Sequence, residues 1–280
     1  MADTEPVLAG MLASGVVEGR VEIAKLPDAL LSAGVHAFTT EDAAAAAGIK
    51  PASARPALAR LIKNKLAFSP ARGLYIPIPP EYRSWGAVPA AWFIDALMSH
   101  LGRAYYIGYL SAAEVHGAAH QRPQLFQVVV DKDVRDRSFG RVRLRFITNR
   151  EAGSLPSRRH NTPTGTMAVA TPELTAMDLA NRPELGGALH NVATVLIDLA
   201  SDGKLHDEEL AKLVARFPIA AARRIGWLVE QFTDVRLDAL ASAVASATEE
   251  PSKLDQHRER RGKVDRRWRV RVNTVVEPDL

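Results

Sequence analysis

The chain has 280 residues, 47% of them hydrophobic, and a formal net charge of +4 with a pI of about 9.4. This length is sufficient for two domains with buried cores, and the positive charge favours an anionic partner. The absence of cysteine excludes disulfides, thiolate metal sites and a cysteine nucleophile. No apolar run is long enough to span a bilayer, and the first residues lack a signal-peptide pattern. We therefore expect a cytoplasmic protein without a membrane segment.

A winged helix-turn-helix is predicted between Phe38 and Pro79, inside an N-terminal domain that we place at residues 1–85. Thr40 is a suitable N-cap for the first of its two helices. Gly48 is expected to end that helix, because glycine leaves the helical conformation readily. Two β-prone runs with turn residues between them follow the second helix and predict a two-stranded wing.

The second helix of this motif has apolar residues at helical spacing, namely Ala54, Leu58 and Leu61. Two prolines near its start favour different first residues. A start at Pro51 is typical of proline at a first helical position, but Pro56 would then remove a hydrogen bond inside the helix. We therefore expect the helix to begin at Ser53, with Pro56 in its first turn.

Basic residues dominate this second helix and the wing, and no acidic residue occurs from Ala43 to Pro80. The candidate DNA-binding residues are Lys50, Ser53, Arg55, Arg60, Lys63, Lys65 and Arg72. Their one-sided charge suits phosphate contacts, because released counterions supply most of the sequence-independent affinity for DNA. We place Ser53 and Arg55 at base edges in the major groove and Arg72 on the wing beside the flanking backbone. The alternative is a winged helix that makes protein contacts and has a solvated basic face.

The sequence pattern of residues 90–280 predicts a second domain of the α+β class, with a small sheet followed by a helical second half. Residues 125–130 are almost uniformly apolar, as in a central strand, whereas residues 142–147 alternate apolar side chains with arginines. Residues 153–164 are expected to form a loop. Helices are predicted from Thr171 onwards, including one over residues 219–232.

Three segments, taken in chain order, carry a likeness to one known family. They are GLYIPIP at the end of the predicted winged helix, AYYIGYLSAAEVHGAAHQRPQLFQVVV from Ala104 to Val130, and TPELTAMDLANRPELGG from Thr171 to Gly187. The last two are similar to a tyrosine-rich Ser-Ala-x-x-x-His-Gly segment and a Pro-Glu-x-x-x-x-Asp-Leu helix with a following Gly-Gly. In these features the chain resembles the AbiEi antitoxins of bacterial AbiE-type (type IV) toxin–antitoxin systems.

The resemblance implies that residues 90–280 are an AbiEi-like C-terminal antitoxin domain. It also implies a transcriptional repressor that binds inverted repeats in the double-stranded promoter DNA of its own operon. Its second partner would be a nucleotidyltransferase-like toxin encoded next to it. One alternative is a winged-helix regulator whose second domain senses a ligand. Another is a metal-dependent nuclease that uses Asp131 and Asp133 at the end of a strand.

A second basic surface is a candidate on the C-terminal domain, and its residues are Arg141, Arg143, Arg145, Arg267 and Arg269. One interpretation is a second nucleic-acid surface. Another is a solvated face whose charges pair with nearby acids. A third interpretation makes the surface a docking site for an acidic toxin, with the winged helix serving regulation.

Catalytic and metal chemistry is not expected. His116 and His120 are four residues apart, but Gly117 is predicted to end the helix between them, and a zinc site needs three or four ligands. His116 is therefore interpreted as a structural residue, and Asp178 as a residue of a helix surface or a junction. Walker, Gly-x-Ser-x-Gly and His-Glu-x-x-His motifs are absent, so we expect no enzyme activity, no cofactor and no metal.

Overall fold

The computed structural model describes residues 21–119 and 124–279. The first 20 residues of the predicted N-terminal domain and His120 of the considered metal pair lie outside the described residues. In the described part of the chain, the α-helices are α1 (Leu26–Ser32), α2 (Thr40–Ala47), α3 (Pro51–Lys63), α4 (Ile94–Leu101), α5 (Tyr109–Val115), α6 (Pro172–Asn181), α7 (Leu189–Ser201), α8 (Asp207–Leu213), α9 (Ile219–Phe232) and α10 (Asp238–Ala245).

The strands of the same residues form three sheets. The strands are β1 (Phe38–Thr39), β2 (Ala67–Ala71), β3 (Leu74–Pro77), β4 (Tyr105–Ile107), β5 (Phe126–Val130), β6 (Arg137–Phe139), β7 (Val142–Thr148), β8 (Ser157–Thr162), β9 (Gly165–Ala170), β10 (Ser252–Lys253), β11 (Val264–Asp265) and β12 (Val270–Arg271). The strand orders are β1-β3-β2, β6-β7-β5-β4-β9-β8 and β10-β12-β11. This mixture of helices and sheets confirms the α+β class.

The chain divides into two compact units. Among the described residues, unit 1 contains those up to Tyr105 together with Val130–Gly153 and Arg159–Ala168. Unit 2 contains Tyr106–Val129, Ser154–Arg158 and the residues from Val169 onwards. The predicted domain ranges 1–85 and 90–280 stay predictions about which segments fold independently.

Helix α2 in unit 1 begins one residue before the predicted position. Thr39, not Thr40, is its N-cap. The Thr39 hydroxyl accepts from the backbone N–H of Asp42 at 3.1 Å, and the Asp42 carboxylate accepts from the backbone N–H of Thr39 at 2.8 Å. This reciprocal pair is a capping box and satisfies two N–H groups that the helix leaves open. Gly48 ends the helix in the left-handed conformation, with φ of 66°, as predicted.

Helix α3 begins at Pro51, so the predicted start at Ser53 is wrong, and Pro56 lies inside the helix. The hydrogen bond that Pro56 cannot donate would have been to the carbonyl of Ala52, and both residues are exposed. Water can therefore solvate that carbonyl. The apolar face of α3 is buried in one cluster with α1 and α2, which fixes the helix despite the proline; its members include Ala54, Leu58, Leu61, Leu26, Leu30, Ala43 and Ala44.

The hairpin β2–β3 follows α3, with Phe68 opposite Ile76 and Ala71 opposite Leu74. Arg72 and Gly73 connect the two strands, and Gly73 has φ of 83°, a conformation that favours glycine.

Farther along the chain, the predicted loop at 153–164 is wrong, because Ser157–Thr162 is strand β8 beside β9. The first five residues of β8 are exposed. Because neither face of the strand is buried there, the sequence lacks the alternation of apolar and polar residues that would indicate a strand.

In unit 2, helices α6, α7 and α9 pack against one another. Helix α6 begins where predicted: Thr171 is its N-cap, with its hydroxyl accepting from the Leu174 N–H at 3.3 Å, and Pro172 is its first residue. Helix α9 carries apolar residues on its buried face and contacts the sheet strands β10 and β12 of the C-terminal segment. The helical second half predicted from the sequence is thus present.

Candidate nucleic-acid interface

The outer face of α3 carries exposed basic and polar side chains. Burial of Ala54, Leu58 and Leu61 turns the opposite positions of the helix towards solvent. Every residue predicted to contact DNA is exposed, on the helix, just before or after it, or on the hairpin: Lys50, Ser53, Arg55, Arg60, Lys63, Lys65 and Arg72. Cationic side chains on one face of a helix form the type of surface that binds phosphate backbones.

Two of these arginines come together at one cleft of unit 1. The cleft has a volume of about 570 Å³ and is lined by Thr40, Glu41, Arg55, Arg72, Gly73, Tyr75 and His100. The backbone N–H of Thr40 donates to the carbonyl of Gly73 at 3.0 Å, which ties the start of α2 to the hairpin tip. The hairpin thereby holds Arg72 at the same cleft as Arg55 of α3, although 17 positions separate them in the chain. Arg60 lies at a different cleft, lined also by Ile23, Ile49 and Ala57.

His100 is a residue of this cleft that the sequence did not indicate. It is exposed near the end of α4, and its Nε2 lies 3.0 Å from the carbonyl oxygen of Arg72. His100 therefore supports the hairpin tip from outside the predicted motif. Sequence spacing carried no signal for it, because 28 residues separate the two positions.

The first three arginines of the predicted second basic surface lie at and beside β7 in unit 1. Arg143 is exposed and Arg145 is half-buried. The Arg141 guanidinium lies 5.6 Å from the centre of the Trp85 ring, which is a cation–π distance. Alternation along β7 holds at Leu144 but not beyond, since Phe146 is only half-buried and Ile147 is buried.

The other two residues of that predicted surface, Arg267 and Arg269, belong to unit 2 and have neighbouring acceptors. Arg267 forms ion pairs with Glu230 at 2.9 Å and with Asp238 at 2.6 Å. Burial raises the pKa of Glu230, but hydrogen bonds from Arg267 and from its other donors outweigh burial and hold that pKa below its usual value. Arg269 donates to the backbone carbonyls of Ala245, Ala247 and Thr248. Local pairing thus satisfies much of the hydrogen-bonding capacity of both guanidiniums.

Asp178 in α6 is buried, with 2% of its surface exposed, so the prediction that it lies on a helix surface is wrong. The Tyr106 hydroxyl lies 3.1 and 3.3 Å from the two carboxyl oxygens. Burial raises the pKa of Asp178 to about 8, and the hydrogen bond from Tyr106 opposes that rise only partly. The sequence does not predict burial here, because an isolated acid in a helix usually faces water.

Glu173, also in α6, is buried and accepts from the His206 backbone N–H at 3.1 Å, with Nδ1 of the same histidine at 2.8 Å. His116 lies with its Nε2 2.8 Å from the Ala170 carbonyl, which fits the structural role predicted for it.

In the described part of the chain, no group of three or more His, Asp or Glu residues lies close enough to hold a metal ion. None of the helices in residues 21–119 and 124–279 has the length and apolar character that a membrane span requires.

The fold and the exposed cationic face define an α+β protein with a surface suited to a polyanion. Residues 106–231 match the family model described as the AbiEi antitoxin C-terminal domain, and this match supports an AbiEi-type antitoxin. The resemblance seen in the sequence is thereby confirmed. This match supports an antitoxin role in a toxin–antitoxin system and implies a cognate toxin as partner.

The crystal structure of the RV2827C protein from Mycobacterium tuberculosis is similar to this chain, with a TM-score of 0.65 at 18% sequence identity. The alignment covers 90% of this chain and 92% of that chain. At this identity the likeness shows the fold alone. The comparison with curated proteins gives no match.

Proposed function

We propose that the protein is a DNA-binding antitoxin that represses its own toxin–antitoxin operon. In this proposal α2, α3 and the β2–β3 hairpin form a winged helix-turn-helix, with α3 entering the major groove of double-stranded promoter DNA at inverted repeats. The observation that carries the proposal is the shared cleft of Arg55 and Arg72, which joins the exposed face of α3 to the hairpin tip. Because the six basic residues among the seven candidates are exposed, their charges are available to phosphates.

The antitoxin half of the proposal rests on the AbiEi match at residues 106–231. The partner is a nucleotidyltransferase-like toxin encoded beside this gene. The protein acts by binding, in the cytoplasm, without catalysis and without a cofactor. A ligand-sensing regulator is the second candidate, and the neighbouring reading frame distinguishes the two: a nucleotidyltransferase-like gene favours the antitoxin, whereas a metabolic operon favours the sensor.

Replacing Arg55 by alanine in the full-length chain should weaken promoter binding by about 1–3 kcal/mol and relax specificity at one base position, if Arg55 reads a base edge. Lys63→Ala should weaken binding to all sequences alike and reduce the slope of log affinity against log salt by about 1, because one phosphate contact is lost. Both effects are measured by gel retardation of the DNA upstream of the gene at several salt concentrations.

Lys212→Ala is the matched control for Lys63→Ala. Lys212 is an exposed lysine of unit 2 that pairs with the neighbouring Glu209 at the surface. Its removal changes the net charge by the same amount as Lys63→Ala. It should leave promoter affinity close to wild type. The DNA-binding proposal fails if the wild-type protein shows no salt-sensitive retardation of its promoter, or if Lys212→Ala weakens binding as much as Lys63→Ala.

The double variant Arg143→Glu/Arg145→Glu tests the arginines of β7. Arg143 is exposed and Arg145 is half-buried, so the fold should tolerate the reversal, while an anionic partner would be repelled. We expect either weaker promoter binding or weaker protection of cells that co-express the protein encoded by the adjacent gene. Wild-type results in both measurements would show that these arginines form only a solvated face.

A further inference from the structure

Two consecutive arginines in α9, Arg223 and Arg224, are almost completely buried, with 0% and 2% of their surfaces exposed. Arg223 donates from Nη1 to the Glu250 carbonyl at 2.6 Å and to the Ser252 hydroxyl at 3.0 Å, and from Nη2 to the Thr248 carbonyl. Its Nε is buried and has no hydrogen-bond acceptor among the described residues. Within residues 21–119 and 124–279, one donor of this buried cation is therefore unsatisfied.

Arg224 has the same kind of surroundings. Its Nε donates to the Leu254 carbonyl at 2.6 Å and its Nη2 to the Lys253 carbonyl at 3.3 Å, while Nη1 donates to the Ala180 carbonyl. In the described part of the chain, the acceptors of both guanidiniums are neutral oxygens. Burial lowers the pKa of Arg224 to about 10, so the side chain is still cationic at neutral pH, and Asp255 and Glu184 act on it only as charges without a direct bond.

Two buried positive charges without a carboxylate beside them are unfavourable, because no direct ion pair offsets their desolvation. The backbone carbonyls of residues 248–254 accept hydrogen bonds that offset part of the desolvation free energy and hold this segment against α9. An anion bound at the same place would offset the remaining desolvation free energy. Arginine is almost never fully buried unless it is paired.

These arginines line an open cleft of about 290 Å³ in unit 2, together with two further cations, Lys253 and Arg260. The acid that lines this cleft, Glu250, is mostly exposed and pairs with Arg260 at 2.8 Å. Four cations therefore face one acid at the cleft.

The start of α9 adds to the positive potential. Ile219 and Ala220, the first residues of this 14-residue helix, also line the cleft, and no side chain caps the helix at Pro218. The first N–H groups of a helix carry a partial positive charge and are ready donors for an anion. The open donors of α9 and the unsatisfied Arg223 Nε thus occur at one place.

We propose that this cleft is a binding site for a phosphate group. Lys253 and Arg260 can donate charge-assisted hydrogen bonds to phosphate oxygens, since Lys253 retains donors besides the one that it gives to the Arg258 carbonyl. The buried Arg223 and Arg224 add positive charge to the same cleft. The volume is close to the lower end of small-ligand pockets. Two sources of the phosphate are tested: a nucleotide-sized compound and the end of a nucleic-acid strand. The site belongs to unit 2 and is independent of the residues proposed to bind promoter DNA.

The test is titration calorimetry and thermal unfolding of the full-length protein with sodium phosphate, ATP, and a short oligonucleotide with or without a 5′-phosphate. Sodium chloride at equal ionic strength is the solvent control. We expect saturable binding with one site per chain and a rise in Tm that depends on ligand concentration. Tighter binding of ATP than of the 5′-phosphorylated strand identifies a small compound, and the reverse order identifies a strand end.

The double variant Lys253→Ala/Arg260→Ala should weaken this binding roughly tenfold or more, because two charge-assisted contacts are lost at the rim while the buried arginines stay in place. Arg261→Ala is the control for the loss of a neighbouring surface cation. Arg261 is exposed, pairs with Glu259 at 2.7 Å and does not line the cleft, so its loss should leave the affinity close to wild type.

The proposal is overturned if sodium phosphate, ATP and the 5′-phosphorylated oligonucleotide all fail to bind saturably at millimolar concentration. It is also overturned if Arg261→Ala weakens binding as strongly as the double variant, since attraction to general surface charge would then explain the result. In either case Arg223 and Arg224 serve only to hold residues 248–254 on α9. Promoter retardation by the same preparation reports separately on the DNA-binding proposal.

Discussion

Asp178→Asn is expected to remove most of the pH dependence of stability that the wild-type protein shows between about pH 4 and pH 8. Burial raises the pKa of this carboxyl from 3.8 to about 8 in the folded state. Within that window the folded protein keeps the proton and the unfolded chain releases it, so rising pH favours unfolding. The stability from this proton is complete below the unfolded pKa and is lost as the pH approaches the folded pKa.

The expected size of this effect is large. Since the folded and unfolded pKa values differ by about four, the wild type should lose on the order of 5 kcal/mol across the window from this group. Asparagine has nearly the same shape, has no proton to lose, and its carbonyl can accept from the Tyr106 hydroxyl as Asp178 does. The variant should therefore have a flatter profile and be more stable than wild type near pH 8.

Urea unfolding at intervals between pH 4 and pH 8 measures this difference. Asp202→Asn removes an exposed carboxyl of the same type, paired with Lys204 at 2.7 Å, and serves as the control. It should reproduce the wild-type profile. Parallel profiles for wild type and Asp178→Asn would show that the buried carboxyl does not hold its proton in the folded state.

Gly226→Ala is expected to destabilise the protein by roughly 3 kcal/mol, although alanine is the better helix former. A Cβ at this position of α9 would overlap the Trp268 ring, which is 2% exposed. The ring cannot move aside easily. Its Nε1 donates to Glu230 at 3.0 Å, and the Trp268 backbone N–H donates to Asp265 at 2.8 Å. Loss of this packing outweighs the gain of about 1 kcal/mol in helix propensity.

A double-mutant cycle isolates this contact. Trp268→Leu alone leaves a cavity and should also cost several kcal/mol, of the order found for large-to-small core changes. The combined variant should be more stable than the sum of the two losses, because the alanine methyl fills part of the space that the smaller side chain leaves. Denaturant unfolding of the four proteins gives the coupling. Strict additivity, or a Gly226→Ala variant as stable as wild type, would contradict this packing.

The sequence by itself determined the elements whose signals are local. Helix α9 was predicted with its observed bounds, because its apolar residues repeat at helical spacing after Pro218. Gly48 and Thr171 were identified at helix ends for the same reason, since capping depends on the residue and its close neighbours. The family resemblance also came from contiguous segments, and the match at residues 106–231 confirmed it.

Tertiary structure decided the features that depend on distant partners. Burial of Leu58 and Leu61 against α1 and α2 outweighs the helix-breaking tendency of Pro56, so α3 begins at Pro51. Strand β8 exists because β9 supplies its hydrogen bonds, not because its side chains alternate.

The buried polar groups show the same limit most clearly. The surroundings of Asp178 are set by Tyr106, which lies 72 residues away, and those of Arg223 by carbonyls about 27 residues further along the chain. The free energy of a charge depends on whether folding removes its water and which groups replace that water. The spacing of residues in the sequence shows local periodicity, but it does not show which distant groups replace water around a buried charge. For these residues, only the folded structure determines the protonation state and the hydrogen-bond partners.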